Sequence, residues 1–324
     1  MPVIQNSTSP VAAKSSPNPT QVLVIGEALA DVFPTEVIIG GAPFNVARHL
    51  AQLGCESHLM SRLAQDEIGH AIVESAKQFG VGLSLTAQEC TTPSGKVAVR
   101  LGADGSHQFQ IERPSAWDFI DAPPPAWFLD NPVKAIVFGT LSVRGNHSRL
   151  ALDDLLKQVR SMPSRTRPLV VCDLNWRSGH TPIDVAVDFA VQADWLKLSE
   201  EEWSLLAQYL SLDESEPDAL LDLYSIQQLI ITRGAEGYVC FGKSEKEDDL
   251  ICIEGPAAPI NHLVDTVGAG DSFLACTLAT YLQGQPLHRA LALAAEFASA
   301  ICGVRGAVPP NLDFYKPFQQ RLVS

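Results

Sequence analysis

The sequence predicts an α/β domain of three layers, with a mostly parallel central sheet between two sets of helices and a small β lid. Three observations carry that expectation. Short apolar runs alternate with segments of helical spacing, the pattern of a parallel sheet covered on both faces. The runs end in Gly, Asn or Ser, where a chain turns and where ligands collect on open parallel sheets. One stretch, residues 95–112, abandons the alternation for two period-two runs around "GADGS", which reads as an antiparallel hairpin.

The elements follow in chain order. Residues 1–20, "MPVIQNSTSPVAAKSSPNPT", are rich in Ser, Pro and Ala and predict a disordered tail; they lack the basic-then-apolar order of a secretory signal. The domain spans 21–324. "QVLVIGEALADVF" is a continuous apolar run closed by Gly26, which reads as a buried parallel strand, with Asp31 placed at the end of that first strand. "NVARHLAQLG" (45–54) has helical spacing, with Val46, Leu50 and Leu53 on one face and Gly54 as its stop. "ESHLMSRLA" reads as strand and "GHAIVESAKQFG" as helix. The hairpin comes next, either a flap over a ligand site or an edge ribbon. Beyond it, "AIVFGTL" (135–141), "RPLVVCDLNW" (167–176), "ADWLKLS" (193–199) and "QLIITRG" (228–234) are further strands. "SLDESEPDALLD" and "GKSEKEDDL" read as solvated surface loops.

Composition narrows the function classes. The 324 residues are 46% apolar, enough for one large core. With 23 basic and 37 acidic side chains the net charge is −14, which argues against nucleic acid or an anionic membrane as the main partner. An anionic ligand must then be held by backbone dipoles and a few arginines. Seven cysteines without a CxxC pair read as small, mostly buried thiols of a reducing, cytoplasmic compartment rather than a zinc site. No apolar run reaches the roughly 18 residues of a spanning helix.

Two glycine motifs carry chemistry. In "DTVGAGDSF", Gly268 and Gly270 let backbone N–H groups converge on one point, and the helix that follows adds the positive end of its dipole. A phosphate fits there without many basic side chains. Asp271 is then either a helix cap or a general base for a hydroxyl attacking that phosphate; the local sequence leaves both open. In "GGAPFNVA", Gly40 and Gly41 either form a tight turn capped by Asn45 or admit a small polar ligand that Asn45 addresses. Asp31 is an acceptor for sugar hydroxyls or an exposed loop acid.

With "GEALADVFP", "GGAPFNVARHLAQLG", "KVAVRL", "FGTLSVR", "DLNWR", "LKLSEEE", "TRGAEG", "DTVGAGDSF" and "ICGVRGAVP" in this order, the chain from about Gln21 onward resembles the ribokinase-like, phosphofructokinase-B type carbohydrate kinases, most of all the fructokinase branch. The resemblance implies a ribokinase-like fold and ATP-dependent phosphorylation of a sugar hydroxyl, fructose to fructose 6-phosphate. It makes Asp271 the base and Gly268, Ala269 and Gly270 the anion hole. Asp31, Gly40, Gly41 and Asn45 match sugar-binding positions, and Arg177 an arginine near the transferred phosphate. Thr232, Gly234 and Gly237 match the nucleotide side, with Ser199 and Glu202 near Mg²⁺ and the phosphates. Asp265 and "CGVRGA" match a region where many relatives bind a monovalent cation such as K⁺. Arg113, after the hairpin, is expected to reach the sugar.

Two departures qualify the match. Ser199 stands where many relatives have asparagine, and its shorter reach bears on metal handling. Eight residues separate Asp31 from Gly40, where many fructokinases carry a longer insertion, so the lid should be smaller and rest on the hairpin. The rivals are a kinase for another sugar or sugar acid (2-keto-3-deoxygluconate, ribose, another ketose) and a non-catalytic protein keeping the fold. A dinucleotide dehydrogenase is disfavoured, since no GxGxxG follows the first strand. The partners expected are a small sugar and ATP, without nucleic acid or membrane, and a second copy in a homodimer.

Overall fold

A computed structural model describes residues 19–88, 91–101, 107–124, 126–243, 250–260 and 262–322. Its strands are β1 (Gln21–Ile25), β2 (Leu29–Val32), β3 (Val37–Gly40), β4 (Glu56–Arg62), β5 (Gly82–Ala87), β6 (Gly95–Leu101), β7 (His107–Ile111), β8 (Ala135–Gly139), β9 (Leu169–Asp173), β10 (Trp195–Ser199), β11 (Gln228–Thr232), β12 (Tyr238–Lys243) and β13 (Leu250–Gly255). Nine of them form the main sheet in the order β13-β12-β11-β10-β9-β8-β1-β4-β5. The seven from β11 to β5 run parallel, and β12 and β13 extend the sheet antiparallel.

Burial explains the layers. In β1, Val22 and Val24 enter one apolar cluster while Leu23 and Ile25 enter the other. A strand with both faces buried needs helices on each side. Helices Ala42–Gln52, Ala269–Leu282 and Leu287–Ile301 cover one face; Asn146–Ser161, Ile183–Ala190 and Glu200–Leu210 cover the other. The helix Ala269–Leu282 is buried at every residue from Ser272 to Thr280, the mark of a helix inside a core rather than on its surface. No described helix is long and apolar enough to cross a membrane.

The second sheet, β3-β2-β6-β7, takes up the rest of the opening run. Gly26 closes the first strand as expected, but Asp31, expected at the end of that strand, belongs to the next one. At Gly26 the backbone takes φ 145°, and a Cβ there would lie 2.5 Å from Pro43 Cγ, so the chain breaks and starts a new strand. Asp31 therefore lies within β2, opposite Ile38 of β3 and Val97 of β6. The expected hairpin is present as β6 and β7, with Val97 opposite Ile111, but it does not form the lid alone. Its turn, residues 102–106, lies outside the described residues, as does the expected tail at 1–18.

The acidic stretch 211–222 also departs from a solvated loop. It contains the start of a short helix, Ala219–Leu223, that buries Leu220 and Leu221 against the core. Two adjacent leucines outweigh their acidic neighbours. In the other charged run, residues 244–249 lie outside the described residues. Cys55, Cys172, Cys240, Cys276 and Cys302 are buried free thiols and Cys252 is exposed; Cys90 lies outside the described residues.

Candidate active site

Strand order reverses between β1 and β8, the crevice where ligands bind on open α/β sheets. The chain leaving β1 meets the second glycine motif there. Gly41 has φ 105°, and a Cβ on it would sit 2.5 Å from the Glu27 carbonyl oxygen, so only glycine lets the two backbones touch. A Cβ on Gly40 would lie 3.5 Å from Asp31 Oδ2 and 3.8 Å from Asn45 Oδ1. The four residues expected on the sugar side thus converge.

The capping alternatives both fall. The helix Ala42–Gln52 starts from Gly41, so Asn45 lies inside its first turn. The helix Ala269–Leu282 starts from Gly268 (φ 77°) without any side-chain cap, and Asp271 lies beyond that cap, inside the first turn. The Asp271 carboxylate instead accepts a hydrogen bond of 2.7 Å from Asn45 Nδ2. Arg48 fixes that amide: its Nη2 donates to Asn45 Oδ1 at 2.5 Å and to the Ile39 carbonyl at 3.0 Å. Two motifs 226 residues apart in sequence are joined by one contact. The first-turn N–H groups of such a helix have no intrahelical acceptor; here Ala269 N donates to the Thr266 carbonyl at 3.3 Å.

Burial sets the charge states. Asp271, partly open to the cleft, is pushed up to about 6, chiefly by burial and then by the Asp173 carboxylate, against the Asn45 hydrogen bond, Lys197 and Arg177. Burial likewise raises Asp31 to about 6 against Arg177. Glu27, 1% exposed, is raised to about 7 by burial, partly offset by a backbone hydrogen bond; Asp271 adds to the rise, and Arg177 and Arg144 oppose it. Asp271 is thereby more basic than an ordinary aspartate.

Lys197, in the middle of an apolar strand, was not singled out from sequence. It is 6% exposed, and its Nζ sits 3.0 Å from each carboxylate oxygen of Asp173 at the end of the neighbouring strand. A Cβ on Gly270 would stand 2.8 Å from that ammonium, so the lysine lies directly beneath the glycine turn. Burial works against its charge, yet the carboxylates of Asp173, Glu202 and Asp271 hold its pKa above the usual lysine value. A buried lysine needs a carboxylate, and the fold supplies it: Asp173 stands opposite Lys197 in register on the neighbouring strand.

The other expected residues take their places along the same edge. Ser199 and Glu202 form a capping box, Glu202 Oε2 accepting from Ser199 N at 2.8 Å and Ser199 Oγ from Glu202 N at 3.2 Å. Glu202 Oε1 also accepts from Trp176 N at 2.7 Å, which pins the turn carrying Arg177. Arg177 is exposed and, among the described residues, its side chain makes no hydrogen bond. Thr232 pairs with Ser199 across β10 and β11, and Gly234 and Gly237 form the turn beyond it. From β11 to β1 is four strand spacings, about 19 Å, with Lys197 and the glycine turn between. Asp265 accepts from Val267 N at 3.0 Å and Gly306 N at 3.1 Å, stapling two loops. Arg113 stands at the margin, exposed, donating to the Arg144 carbonyl at 3.2 Å.

Among the described residues no three His, Cys, Asp or Glu side chains form a ready metal cage. The hard carboxylate oxygens of Glu202 are of the kind Mg²⁺ takes, an ion that uses few protein carboxylates and arrives with substrate phosphates, whereas Asp173 is spent on Lys197. Comparison with known proteins shows the family. The chain is 29% identical over 269 residues to a fructokinase of Escherichia coli, covering 79% of this chain and 82% of that one. It is 27% identical over 328 residues to fructokinase-2 of Oryza sativa subsp. japonica, covering 92% and 93%. In fold it is similar to the ATP-bound fructokinase of Xylella fastidiosa, with a TM-score of 0.79 at 23% identity over 94% of this chain and 99% of that one. The model of the pfkB family carbohydrate kinases matches residues 20–313, and the chain belongs to that family and is a sugar kinase.

Proposed function

We propose that the protein transfers the terminal phosphoryl group of ATP to a hydroxyl of a ketose, with fructose, phosphorylated at O6, as first choice. The observation that supports this most is the 2.7 Å contact between Asn45 and Asp271, which places the acceptor motif against the glycine turn. In this reading Asp31, Gly40, Gly41 and Asn45 hold the sugar, and Asp271 takes the proton of the attacking hydroxyl. The N–H groups around Gly268, Ala269 and Gly270, with Lys197 below them, face the charge that develops on the phosphoryl oxygens. Arg177, free of other hydrogen bonds among the described residues, closes on the same group. Thr232, Gly234 and Gly237 border the nucleotide. Mg²⁺ held with the triphosphate near Ser199 and Glu202 neutralises its charge. Asp265 and the 302–306 loop are the proposed contact for K⁺, which shares carboxylate oxygens already bonded to two backbone N–H groups.

A second reading has its own support. His180 is held below its ordinary range, first by burial and then by Arg144, Arg113 and Arg177, so three guanidinium groups lie within electrostatic range of it. Such a setting suits a sugar acid, for example 2-keto-3-deoxygluconate. The test is ADP release with Mg-ATP across fructose, ribose, other ketoses and the keto-acid, with and without potassium. Turnover of fructose well above the rest supports the first reading; the keto-acid alone supports the second. No sugar-dependent ADP release removes both. Light scattering of the purified chain tests the homodimer.

A further inference from the structure

Arg48, three residues after Asn45 in the helix Ala42–Gln52, is a buried cation without a counter-ion. It is 2% exposed and forms no ion pair among the described residues. Its guanidinium lies 4.4 Å from the Phe44 ring centre and 5.5 Å from that of Phe79. Nη1 donates to Ser75 Oγ at 3.1 Å, Nη2 donates to the Ile39 carbonyl and to Asn45 Oδ1, and Nε is buried without a partner. Each of these acceptors is uncharged. A side chain that only filled this space would be apolar, because an unpaired charge is costly to bury. Of the three partners, Asn45 alone leads on to an anion, the Asp271 carboxylate.

That link has a direction. A guanidinium only donates and a carboxylate only accepts, so the Asn45 amide satisfies both neighbours in one orientation. Turned over, it would set Nδ2 against Arg48 and Oδ1 against Asp271. The amide thus occupies Asp271 Oδ2, while Asp271 Oδ1 accepts no hydrogen bond among the described residues. We infer that Arg48 is a positioning residue of the phosphoryl transfer: it locks the Asn45 amide toward Asp271, so that the second carboxylate oxygen takes the proton of the acceptor hydroxyl. This rests on the sugar-kinase reading above, with Asp271 as the base.

The other charges around the pair fix the sign of the effect. Asp271 is faced by Lys197 in β10, by Asp173 and Arg177 at and beyond the end of β9, and by Glu27 after β1. Arg48 is faced by His49, which burial pushes down to about 3, and by Tyr315. Burial pushes Arg48 itself down to about 10, against Tyr315 and Asp271, so it stays charged at neutral pH. Without that charge, Lys197 and Arg177 alone would hold the Asp271 carboxylate against Asp173 and Glu27, and its pKa should rise.

The experiment measures kcat/KM for the best acceptor against pH in the native enzyme and in Arg48→Met, whose long apolar side chain keeps the contact with Phe44. The acidic limb, expected at about 6 in the native enzyme, should move up by roughly 0.5 to 1 pH unit. The native-to-variant ratio of kcat/KM should then be about 3- to 10-fold larger at pH 5 than at pH 8.5. In an Asn45→Ala background the same substitution should move the limb by less than about 0.2 unit, because the link is already cut. The unfolding midpoint reports that each variant is folded, and Arg48→Gln repeats the measurement if Arg48→Met does not fold. An unmoved limb in a folded variant overturns the inference, whatever happens to KM, since Arg48 would then only fill the core. So does an equal shift in the Asn45→Ala background, which would mean that Arg48 acts past Asn45. Failure of both Arg48 variants to fold would make the residue part of the scaffold and overturn it as well. A native enzyme without sugar-dependent ADP release fails the underlying reading instead, and that control separates the two failures.

Discussion

The glycine turn at 268–270 and the four-stranded lid face the same cleft and are built on opposite terms. The turn opens a helix buried along nine consecutive residues, rests on the buried Lys197, and packs Gly268 directly on Ala307. The lid strands are four to seven residues long, and Val37 in β3 is 57% exposed. Its tie to the loop below is the exposed ion pair of Arg305 with Glu36. In the proposed mechanism the groups that meet developing charge must not reorganise, and they sit in the core. The second sheet, which carries Asp31 of the proposed acceptor site, is short-stranded and partly exposed, as a part that opens should be.

The largest effect should come from the rigid side. Asp271→Asn keeps the Asn45 contact within reach and removes a partly buried charge, so the unfolding midpoint should hold while turnover falls about 10²- to 10⁴-fold or more. Steady-state ADP release checks it. Near-normal turnover would reduce Asp271 to a packing residue and end the contrast between the two regions.

Lys197→Met comes next. It leaves Asp173 buried and unpaired, and breaking a buried pair on one side typically costs about 3–5 kcal/mol. Denaturant unfolding should show that loss, and Lys197→Met with Asp173→Leu should recover most of it. If the single variant is as stable as the native protein, the pair is not part of the core that supports the turn.

What could be read from the sequence follows the same division. Strands buried on both faces, such as "AIVFG", are legible because continuous apolar runs have few other uses. The glycine turns are legible because φ above zero and close backbone approach select one residue type. Lys197 was missed because a charge inside an apolar run breaks the pattern that identifies the run, and its partner lies on another strand. The close of β1 at Gly26 was legible, but β2 was not separated from it because Leu29, Ala30 and Val32 continue the apolar composition beyond the break. Edge strand β13, mostly exposed in "LICIEG", offers no alternation to detect. The convergence of Asp31, Asn45 and Asp271 was reached through family resemblance; spacing alone left each of them between a loop role and a site.

The pH profile sharpens the comparison from within the cleft. Asp271 must be ionised to take a proton and is raised to about 6, so kcat/KM should rise with pH through about 6 and level off above it. Well below that value each pH unit should cost about tenfold. A profile flat down to pH 4.5 would mean the acceptor is not deprotonated by a carboxyl in this setting.

Asn45→Ala tests the junction of the two regions. The side chain is 5% exposed and spends its amide on both Asp271 and Arg48, so its removal frees a buried cation and loosens the acceptor motif. A hydrogen bond to a charged group is worth about 1.5–3 kcal/mol, which corresponds to roughly a 10- to 100-fold rise in acceptor KM. The ATP KM should move much less. An effect confined to ATP would put the sugar elsewhere.

The smallest effect belongs to the lid tie. Arg305 is 64% exposed, and an ion pair in that setting gains little because water and salt screen it and two long side chains must be held still. Glu36→Gln should leave the unfolding midpoint where it is and change acceptor KM less than about twofold at 0.15 M salt. The loop beneath is already fixed without it, since Gly306 N donates to Asp265 at 3.1 Å and a Cβ on Gly306 would meet Ile38 Cγ2 at 3.4 Å. A midpoint lowered by several degrees in Glu36→Gln would mean that lid and turn unfold as one unit. The lid would then be a buttress of the phosphoryl site, and the division of labour drawn between rigid chemistry and movable selection would not hold for this enzyme.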